Sequence, residues 1–240
     1  MKKLLLGTAA LAFSAGMALA SDVVRMGTEG AYPPYNFIND AGEVDGFERE
    51  MGDELCKRAE LTCEWVTNDW DSIIPNLVSG NYDTIIAGMS INDEREKVID
   101  FTQDYIPPAT SSYVALSEGA DLKGIVAAQT STLQAGYITE SGATLLEFST
   151  ADEIIAALKS GEADAVFFDT DYLAPIVEES GGELMFVGEQ VTLGRGTGMG
   201  LRKSDTELKD KFNAAITSMK EDGTLNTMLV KWFGEGTDTY

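Results

Sequence analysis

The feature of this sequence that most restricts its fold is a short internal repeat. Residues 71–83 read DSIIPNLVSGNYD and residues 152–164 read DEIIAALKSGEAD, which share seven identities in thirteen positions. Each copy is typical of an amphipathic helix that ends at a glycine and leads into a buried strand. Helix–glycine–strand units resemble one another for local reasons too, but one unit in each half predicts two α/β lobes rather than one extended sheet.

Strand-like and helix-like segments alternate along the rest of the chain. Hydrophobic periodicity predicts strands at 23–28, 64–66, 82–86, 124–128, 144–148 and 164–168. It predicts helices at 48–59, 71–78, from 132 onward, and at 151–159, 171–178, 205–221 and 224–232. This alternation indicates an α/β fold with mostly parallel sheets. Open α/β sheets bind ligands beyond the carboxyl ends of their strands, which here are the loops 87–90 and 169–171.

The composition excludes several classes of function. The 240 residues contain no histidine, which removes Ser-His-Asp and Cys-His hydrolysis and histidine-ligated zinc. The formal net charge of −23 makes nucleic acid and anionic membrane surfaces poor partners. Acidic pairs such as Asp69 and Asp71 lack the spacing of a calcium loop, so we expect no metal and no cofactor.

The first twenty residues have the pattern of a signal peptide. Lys2 and Lys3 precede a small apolar stretch at 4–17, and an A-x-A pattern ends at Ala20. The stretch is too short for a comfortable membrane span, and Cys56, the first cysteine, is too far along to take a lipid at the cleavage site. We expect cleavage after Ala20 and a soluble exported protein.

The two cysteines of an exported protein favour one structural disulfide. Cys56 and Cys63 would lie about 10 Å apart on one continuous helix, which is beyond disulfide reach. If they pair, the helix predicted at 48–59 must therefore end between them and the chain must turn back as a strand. The alternative is two free, buried cysteines.

Several segments carry a resemblance to a known family. The chain resembles the periplasmic solute-binding proteins of family 3, which deliver polar amino acids to ABC transporters, and among them the lysine/arginine/ornithine- and histidine-binding group. The segments are VRMGTEGAYPPY (24–35), VDGFEREMGDELCKRAELTCEWV (44–66), DWDSIIPNL (69–77), IIAGMSINDEREKVIDFT (85–102), QTST (129–132), DAVFFDT (164–170) and GTGMGLRKSDTELKDKFNAAI (196–216).

The resemblance implies a two-lobed periplasmic binding protein of type II, with a hinge of two crossing segments near 106–111 and 198–201. It implies a first lobe formed by 21–108 and 201–240, and a second formed by 109–200. The expected function is high-affinity binding of an L-amino acid in the periplasm, with delivery to the membrane permease of an ABC transporter by hinge closure. We expect a monomer without enzymatic activity.

The same match implies how the α-carboxylate of the ligand is bound. Arg95 corresponds to the family arginine that grips it, and a guanidinium offers a carboxylate two parallel donors. Ser90 and Thr132 correspond to positions that donate from hydroxyl or backbone N–H groups. At Ala87 and Gly88, where relatives carry serines, only backbone groups remain to bind.

The remaining matched residues concern the ligand's cationic groups. Asp169 corresponds to the acid for the α-ammonium, with Asp171 as a neighbouring candidate. Tyr32 and Trp70 correspond to two rings that sandwich the side chain. Glu29 corresponds to an aspartate that, in cation-binding members, contacts a distal ammonium or guanidinium, which favours lysine, arginine or ornithine.

Each of these residues also has an ordinary structural interpretation. Arg95 could pair with Glu94 or Glu96 on a surface helix, and Ser90 and Thr132 could be helix N-caps. In the same way, the aromatic pair could be core residues and the aspartate a solvated turn residue.

Three other functions stay open at this point. A few relatives on the same scaffold are dehydratases that act on prephenate-like acids, and Glu29 could act as their acid or base. A sensory role beside a receptor kinase is a second alternative. The segment Ala87-Gly88-Met89 resembles arginine-selective and opine-binding members, although Ser90 counts against an opine.

Overall fold

The computed structural model describes residues 23–240, so the signal peptide expected at 1–20 lies outside the described residues. The strands in chain order are β1 (Val24–Thr28), β2 (Ala31–Tyr32), β3 (Asn36–Ile38), β4 (Val44–Asp45), β5 (Cys63–Thr67), β6 (Thr84–Ile85), β7 (Asp100–Ile106), β8 (Thr110–Ala115), β9 (Ile125–Gln129), β10 (Thr144–Phe148), β11 (Ala165–Asp169), β12 (Met185–Thr192) and β13 (Thr197–Leu201). Every strand predicted from periodicity is found, within two residues at each end.

The helices are α1 (Phe47–Arg58), α2 (Ile73–Val78), α3 (Asp93–Glu96), α4 (Leu133–Ser141), α5 (Ala151–Ser160), α6 (Thr170–Glu179), α7 (Thr206–Glu221) and α8 (Thr224–Phe233), and a 3₁₀ turn at Trp70–Ser72 precedes α2. Local chemistry fixes several of their ends. Thr150 and Glu153 form a reciprocal capping box at the start of α5. None of these helices is long and apolar enough to cross a membrane.

Two five-stranded sheets with the same topology form the two lobes. Their orders are β5-β1-β6-β13-β7 and β10-β9-β11-β8-β12, and β2-β3-β4 form a small third sheet. The two copies of the sequence repeat occupy equivalent places, because α2 leads into β6 and α5 into β11, the central strand of each large sheet. Gly80 and Gly161 follow these helices with φ of 81° and 78°, the left-handed conformation that glycine adopts readily.

The sheets are mixed rather than mostly parallel. In each, three strands pair in parallel, while β8 and β13 pair antiparallel with the central strand of their sheet. These two strands are the ones that enter each sheet from the other lobe. They run opposite to the central strand because the chain arrives from the hinge, which local periodicity does not reveal.

The chain crosses between the sheets at 107–109 and at 193–196, the segments between β7 and β8 and between β12 and β13. The first crossing agrees with the segment expected at 106–111. The second differs from the expectation, because residues 197–201 already pair with β6 and β7 of the first sheet. The boundary expected between 200 and 201 therefore lies inside a strand.

The predicted disulfide between Cys56 and Cys63 is confirmed, with Cα atoms 6.3 Å apart. The helix α1 ends at Arg58 and β5 begins at Cys63, so the chain does turn back between the two cysteines as the spacing required. The bridge ties α1 to an edge strand of the first sheet.

Helices α1 and α7 pack their apolar faces into one core. Phe47, Met51 and Leu55 recur at a spacing of four residues and are fully buried, as are Phe212 and Ile216 of α7. This packing holds the first turn of α1 against the loops at the strand ends, where the candidate site lies.

Candidate ligand-binding site

A single cavity between the two lobes brings together all the predicted ligand residues. The space between its lining atoms, including the part that is open to solvent, is about 340 Å³. It is lined by the nine predicted residues Glu29, Tyr32, Trp70, Ala87, Gly88, Ser90, Arg95, Thr132 and Asp169, and by Gln129, Leu133, Gln134 and Phe168. The loops after β6 and β11 thus lie on the same cavity, as their positions at strand ends indicated. Asp171 is not part of this lining.

Arg95 is a buried cation without an acidic partner in the described residues. Its side chain is 9% exposed, and its two terminal nitrogens donate to the carbonyl oxygens of Ser90, at 2.7 Å, and Ser131, at 3.2 Å. The guanidinium carbon lies 5.2 Å from the ring centre of Trp70. Burial lowers the pKa of Arg95 to about 10, so the group stays charged at neutral pH. The surface ion pair with Glu94 or Glu96 is absent.

The positions of Ser90 and Thr132 differ in local structure. Thr132 is the N-cap of α4, where its hydroxyl accepts from the backbone N–H of Ala135. Ser90 is not a cap, because Asn92 caps α3. Instead, Ser90 lies in a bridge with Thr197, which ties this loop to the start of β13, directly after the second crossing.

Asp169 is a partly buried acid at the end of β11. Its carboxylate accepts hydrogen bonds from the Tyr32 hydroxyl at 2.5 Å and from Nε2 of Gln134 at 2.6 Å. No cation among the described residues pairs with it. Burial raises the pKa of Asp169 to about 6, although the hydrogen bond from the Tyr32 hydroxyl acts to lower it.

Glu29 is a second acid in the cavity. Its Oε1 accepts from Nε2 of Gln129 at 2.9 Å, and the same nitrogen donates to the carbonyl oxygen of Ser149. Burial, reinforced by nearby carboxylates such as Asp71, raises the pKa of Glu29 to about 7. A cation that entered beside Glu29 or Asp169 would relieve the cost of burying either charge.

The two predicted aromatic residues have neighbours that the sequence did not reveal. The ring of Tyr32 stacks on Tyr35, at 4.6 Å between centres, and on Tyr172, at 5.3 Å. Trp70 is in contact with Arg95 and donates from its indole to the carbonyl oxygen of Thr130 at 3.1 Å. Tyr32 therefore already has stacking partners in the protein, and it presents its hydroxyl to Asp169.

The lobes contact each other through these same residues. In residues 23–240 and outside the two crossings, five hydrogen bonds span the cleft, and each joins a residue of the first lobe to one of the second. The pairs are Tyr32–Asp169, Glu29–Gln129, Trp70–Thr130, Arg95–Ser131 and Asp71–Ser149. Four of these five bonds therefore involve a residue expected to hold a ligand, and Asp71–Ser149 is the exception.

Four lining residues were not predicted from the sequence. Gln129 and Phe168 lie at or next to the ends of β9 and β11, so the strand-end argument could have included them. Leu133 and Gln134 directly follow Thr132 in the first turn of α4. In residues 23–240, no group of three or more acidic, cysteine or histidine side chains is arranged to hold a metal ion.

The family model of bacterial extracellular solute-binding proteins, family 3, matches residues 24–235. The chain belongs to this family. The resemblance seen in the sequence is therefore confirmed, and so is the two-lobed fold that it implied.

Curated relatives of this family-3 protein match along almost their whole length. The L-arginine-binding protein of Pseudomonas aeruginosa is 34% identical over 253 residues, which cover 97% of both chains. The lysine/arginine/ornithine-binding periplasmic protein of Escherichia coli (strain K12) is 32% identical, over 95% of this chain and 92% of the relative.

Among solved structures, a periplasmic His/Glu/Gln/Arg/opine family-binding protein from Silicibacter pomeroyi in complex with lysine is 80% identical. Its TM-score to this chain is 0.90, and the match covers 91% of this chain and 100% of that one.

Proposed function

We propose that this protein binds a cationic L-amino acid, namely lysine, arginine or ornithine, outside the cytoplasm. The observation that carries the proposal is the charge arrangement of one cavity. In residues 23–240, the cavity is lined by a buried arginine without an acidic partner and by two partly buried carboxylates without a cationic partner. A dibasic amino acid carries the complementary set of one carboxylate and two cations. The names of the relatives support the same class of ligand.

Each group of the ligand has a partner of suitable chemistry in this proposal. Arg95 binds the α-carboxylate, together with donors of the loop 87–90 and of the start of α4, where helix N–H groups favour an anion. Asp169 binds the α-ammonium. Glu29 binds the distal cation, while Trp70 and the hydroxyl-bearing edge of Tyr32 form the aromatic walls beside the aliphatic stem.

The two crossings form the hinge of the proposed mechanism. Rotation about 107–109 and 193–196 would bring the lobes together on the ligand, and the five hydrogen bonds across the cleft would hold them closed. The lobe-closed protein would then present its ligand to an ABC permease. The family supports a periplasmic location, which we propose follows cleavage after Ala20, and the function requires only a monomer.

A thermal-shift panel on refolded mature protein tests this proposal. The panel contains the twenty amino acids, ornithine, citrulline, an opine and prephenate. A ligand at about 1,000 times its Kd adds about 4 kcal/mol to the folded state, which raises Tm by several degrees. We expect large shifts with lysine, arginine or ornithine only.

A matched variant makes the panel specific to the distal-cation contact. Glu29→Gln preserves the shape of the side chain and should reduce the shifts of the dibasic ligands, while leaving weak shifts of neutral amino acids unchanged. Large shifts for lysine in both proteins would contradict the role of Glu29. A shift with prephenate alone, followed by turnover of it, would favour the dehydratase, and a shift with the opine alone would favour an opine binder.

A further inference from the structure

A buried carboxylate outside the cavity connects the parts of the first lobe that form the proposed site. Glu48, in the first turn of α1, is 0% exposed, and no cation pairs with it in the described residues. Its Oε1 accepts from the backbone N–H of Gly88 at 2.6 Å and from the hydroxyl of Tyr105, and its Oε2 accepts from Nδ2 of Asn36 at 2.7 Å. All three donors belong to other elements.

Two of these donors lead to ligand loops. Gly88 lies in the loop after β6 that lines the cavity. Asn36 links Glu48 to the turn that carries Glu29. Its Oδ1 accepts from the backbone N–H of Gly30 at 2.6 Å, and Gly30 follows Glu29 directly. The third donor, Tyr105, lies on β7 one residue before its end, where the chain enters the first crossing of the hinge.

We propose that Glu48 is a positioning residue for the ligand site: its carboxylate fixes the loop at Gly88 and, through Asn36, the turn that carries Glu29, both relative to the strand that enters the hinge. The proposal rests on the proposed function, because it assigns Glu48 an effect on ligand affinity. Glu48 itself does not line the cavity and does not touch the ligand.

The arrangement requires a carboxylate, because every partner of Glu48 is a donor. An amide at this position would turn its NH₂ group toward the N–H of Gly88 and the hydroxyl of Tyr105, or toward the NH₂ group of Asn36. Asn36 cannot resolve the second conflict by flipping its amide, since its oxygen is held by the N–H of Gly30. The cluster therefore has one consistent orientation, and burial makes an unpaired donor costly.

The tight packing at Gly88 makes the loop sensitive to small displacements. Gly88 has φ of 61°, and a Cβ atom built there would lie 2.7 Å from the ring of Tyr32. The backbone of the loop thus lies directly against an aromatic residue of the site. A shift of Gly88 after loss of its hydrogen bond would move the ring whose hydroxyl donates to Asp169.

Two substitutions that exchange the acceptor of Glu48 and the donor of Asn36 provide the test. Glu48→Gln and Asn36→Asp are each expected to weaken lysine binding by about 10- to 100-fold in isothermal titration calorimetry, through donor–donor and acceptor–acceptor conflicts. The double variant restores every hydrogen bond with reversed polarity between the two side chains. It should bind lysine within about threefold of the wild-type protein. Glu50→Gln changes a partly exposed carboxylate on the same helix that pairs with Lys231 and does not line the cavity. It is the matched control and should bind normally.

A spectroscopic measurement separates positioning from stability. The measurement is an NMR spectrum of ligand-free protein labelled with ¹⁵N-glycine. The amide resonance of Gly88 should move markedly in Glu48→Gln and return to its wild-type chemical shift in the double variant. A variant affected only in stability would keep the wild-type chemical shift of the Gly88 amide in its folded state. If Glu48→Gln fails to fold, Tyr105→Phe removes a single donor and should weaken lysine binding by a smaller factor, again with a shifted Gly88 amide.

Two results would overturn the proposal. One is unchanged lysine affinity in the folded Glu48→Gln protein, and the other is a double variant that stays as weak as the single variants. Absence of binding of lysine, arginine and ornithine alike in the wild-type protein would contradict the proposed function instead. The Gly88 amide would then still report, without any ligand, whether Glu48 positions the loop.

Discussion

Affinity for a dibasic amino acid is expected to fall steeply as the pH falls below neutrality. Burial raises the pKa of Glu29 to about 7 and that of Asp169 to about 6, and both carboxylates must be ionised to pair with the ligand's cations. Binding is therefore at full strength above the raised pKa values. Below them, each protonated carboxylate must first release its proton, and this release weakens binding.

The size of the effect follows from the two pKa values. Between about pH 8 and pH 5, the requirement for ionised Glu29 lowers affinity about 100-fold and that for Asp169 about 10-fold, or about 1,000-fold together. In Glu29→Gln, only the Asp169 factor of about 10 should remain.

The ligand-free protein should show the opposite slope. A carboxylate pKa that is raised in the folded chain means that the folded chain binds more protons than the unfolded chain. This holds at pH values between the pKa of the unfolded chain and that of the folded chain. The contribution of Glu29 and Asp169 to the free energy of unfolding is therefore present near pH 4 and is lost as the pH rises through 6 and 7. Denaturation of the ligand-free protein across this range measures it, with Glu29→Gln showing the smaller slope.

Isothermal titration calorimetry with lysine, in pairs of buffers of different ionisation enthalpy, measures the affinity and counts the protons released. We expect release of close to one proton near pH 6.5 in the wild-type protein and clearly less in Glu29→Gln. Lysine affinity that stays constant between pH 8 and pH 5 would refute the reasoning, because it would mean that neither carboxylate meets a cation of the ligand.

Two further predictions concern the arginine and the disulfide. Arg95→Lys keeps the charge but loses the two parallel donors, so affinity for every amino acid should fall by about 100-fold or more in calorimetric titration. Replacing both Cys56 and Cys63 by serine should lower the free energy of unfolding by about 2 to 3 kcal/mol in urea denaturation, because the unfolded chain is no longer closed into a loop.

The controls for these two variants are complementary. Arg95→Lys should leave the Tm of the ligand-free protein close to the wild-type value, and loss of binding to dibasic ligands alone would contradict a role in gripping the shared carboxylate. The double serine variant should keep its lysine affinity, since the bridge joins α1 to β5 and does not line the cavity. A large loss of affinity there would show that the bridge supports the site.

The sequence determined the features that depend on neighbours along the chain. Periodicity located the repeated helix–strand units, because a buried face recurs every 3.6 residues in a helix and every two in a strand. The same units placed Gly88 and Asp169 at the carboxyl ends of central strands, and hence on one cavity. The spacing of Cys56 and Cys63 required the turn that the structure shows.

Only the tertiary structure decided the contacts that give these residues their electrostatic properties. Tyr32 and Asp169 are 137 positions apart, and Gln129 and Glu29 are 100 apart, so neither pair is visible to local propensity. The antiparallel pairing of β13 and the carboxylate of Glu48 at the junction of two loops depend on how whole elements pack. The burial that raises the pKa values of Glu29 and Asp169 arises only in the assembled lobes, because solvent is excluded only when distant segments meet.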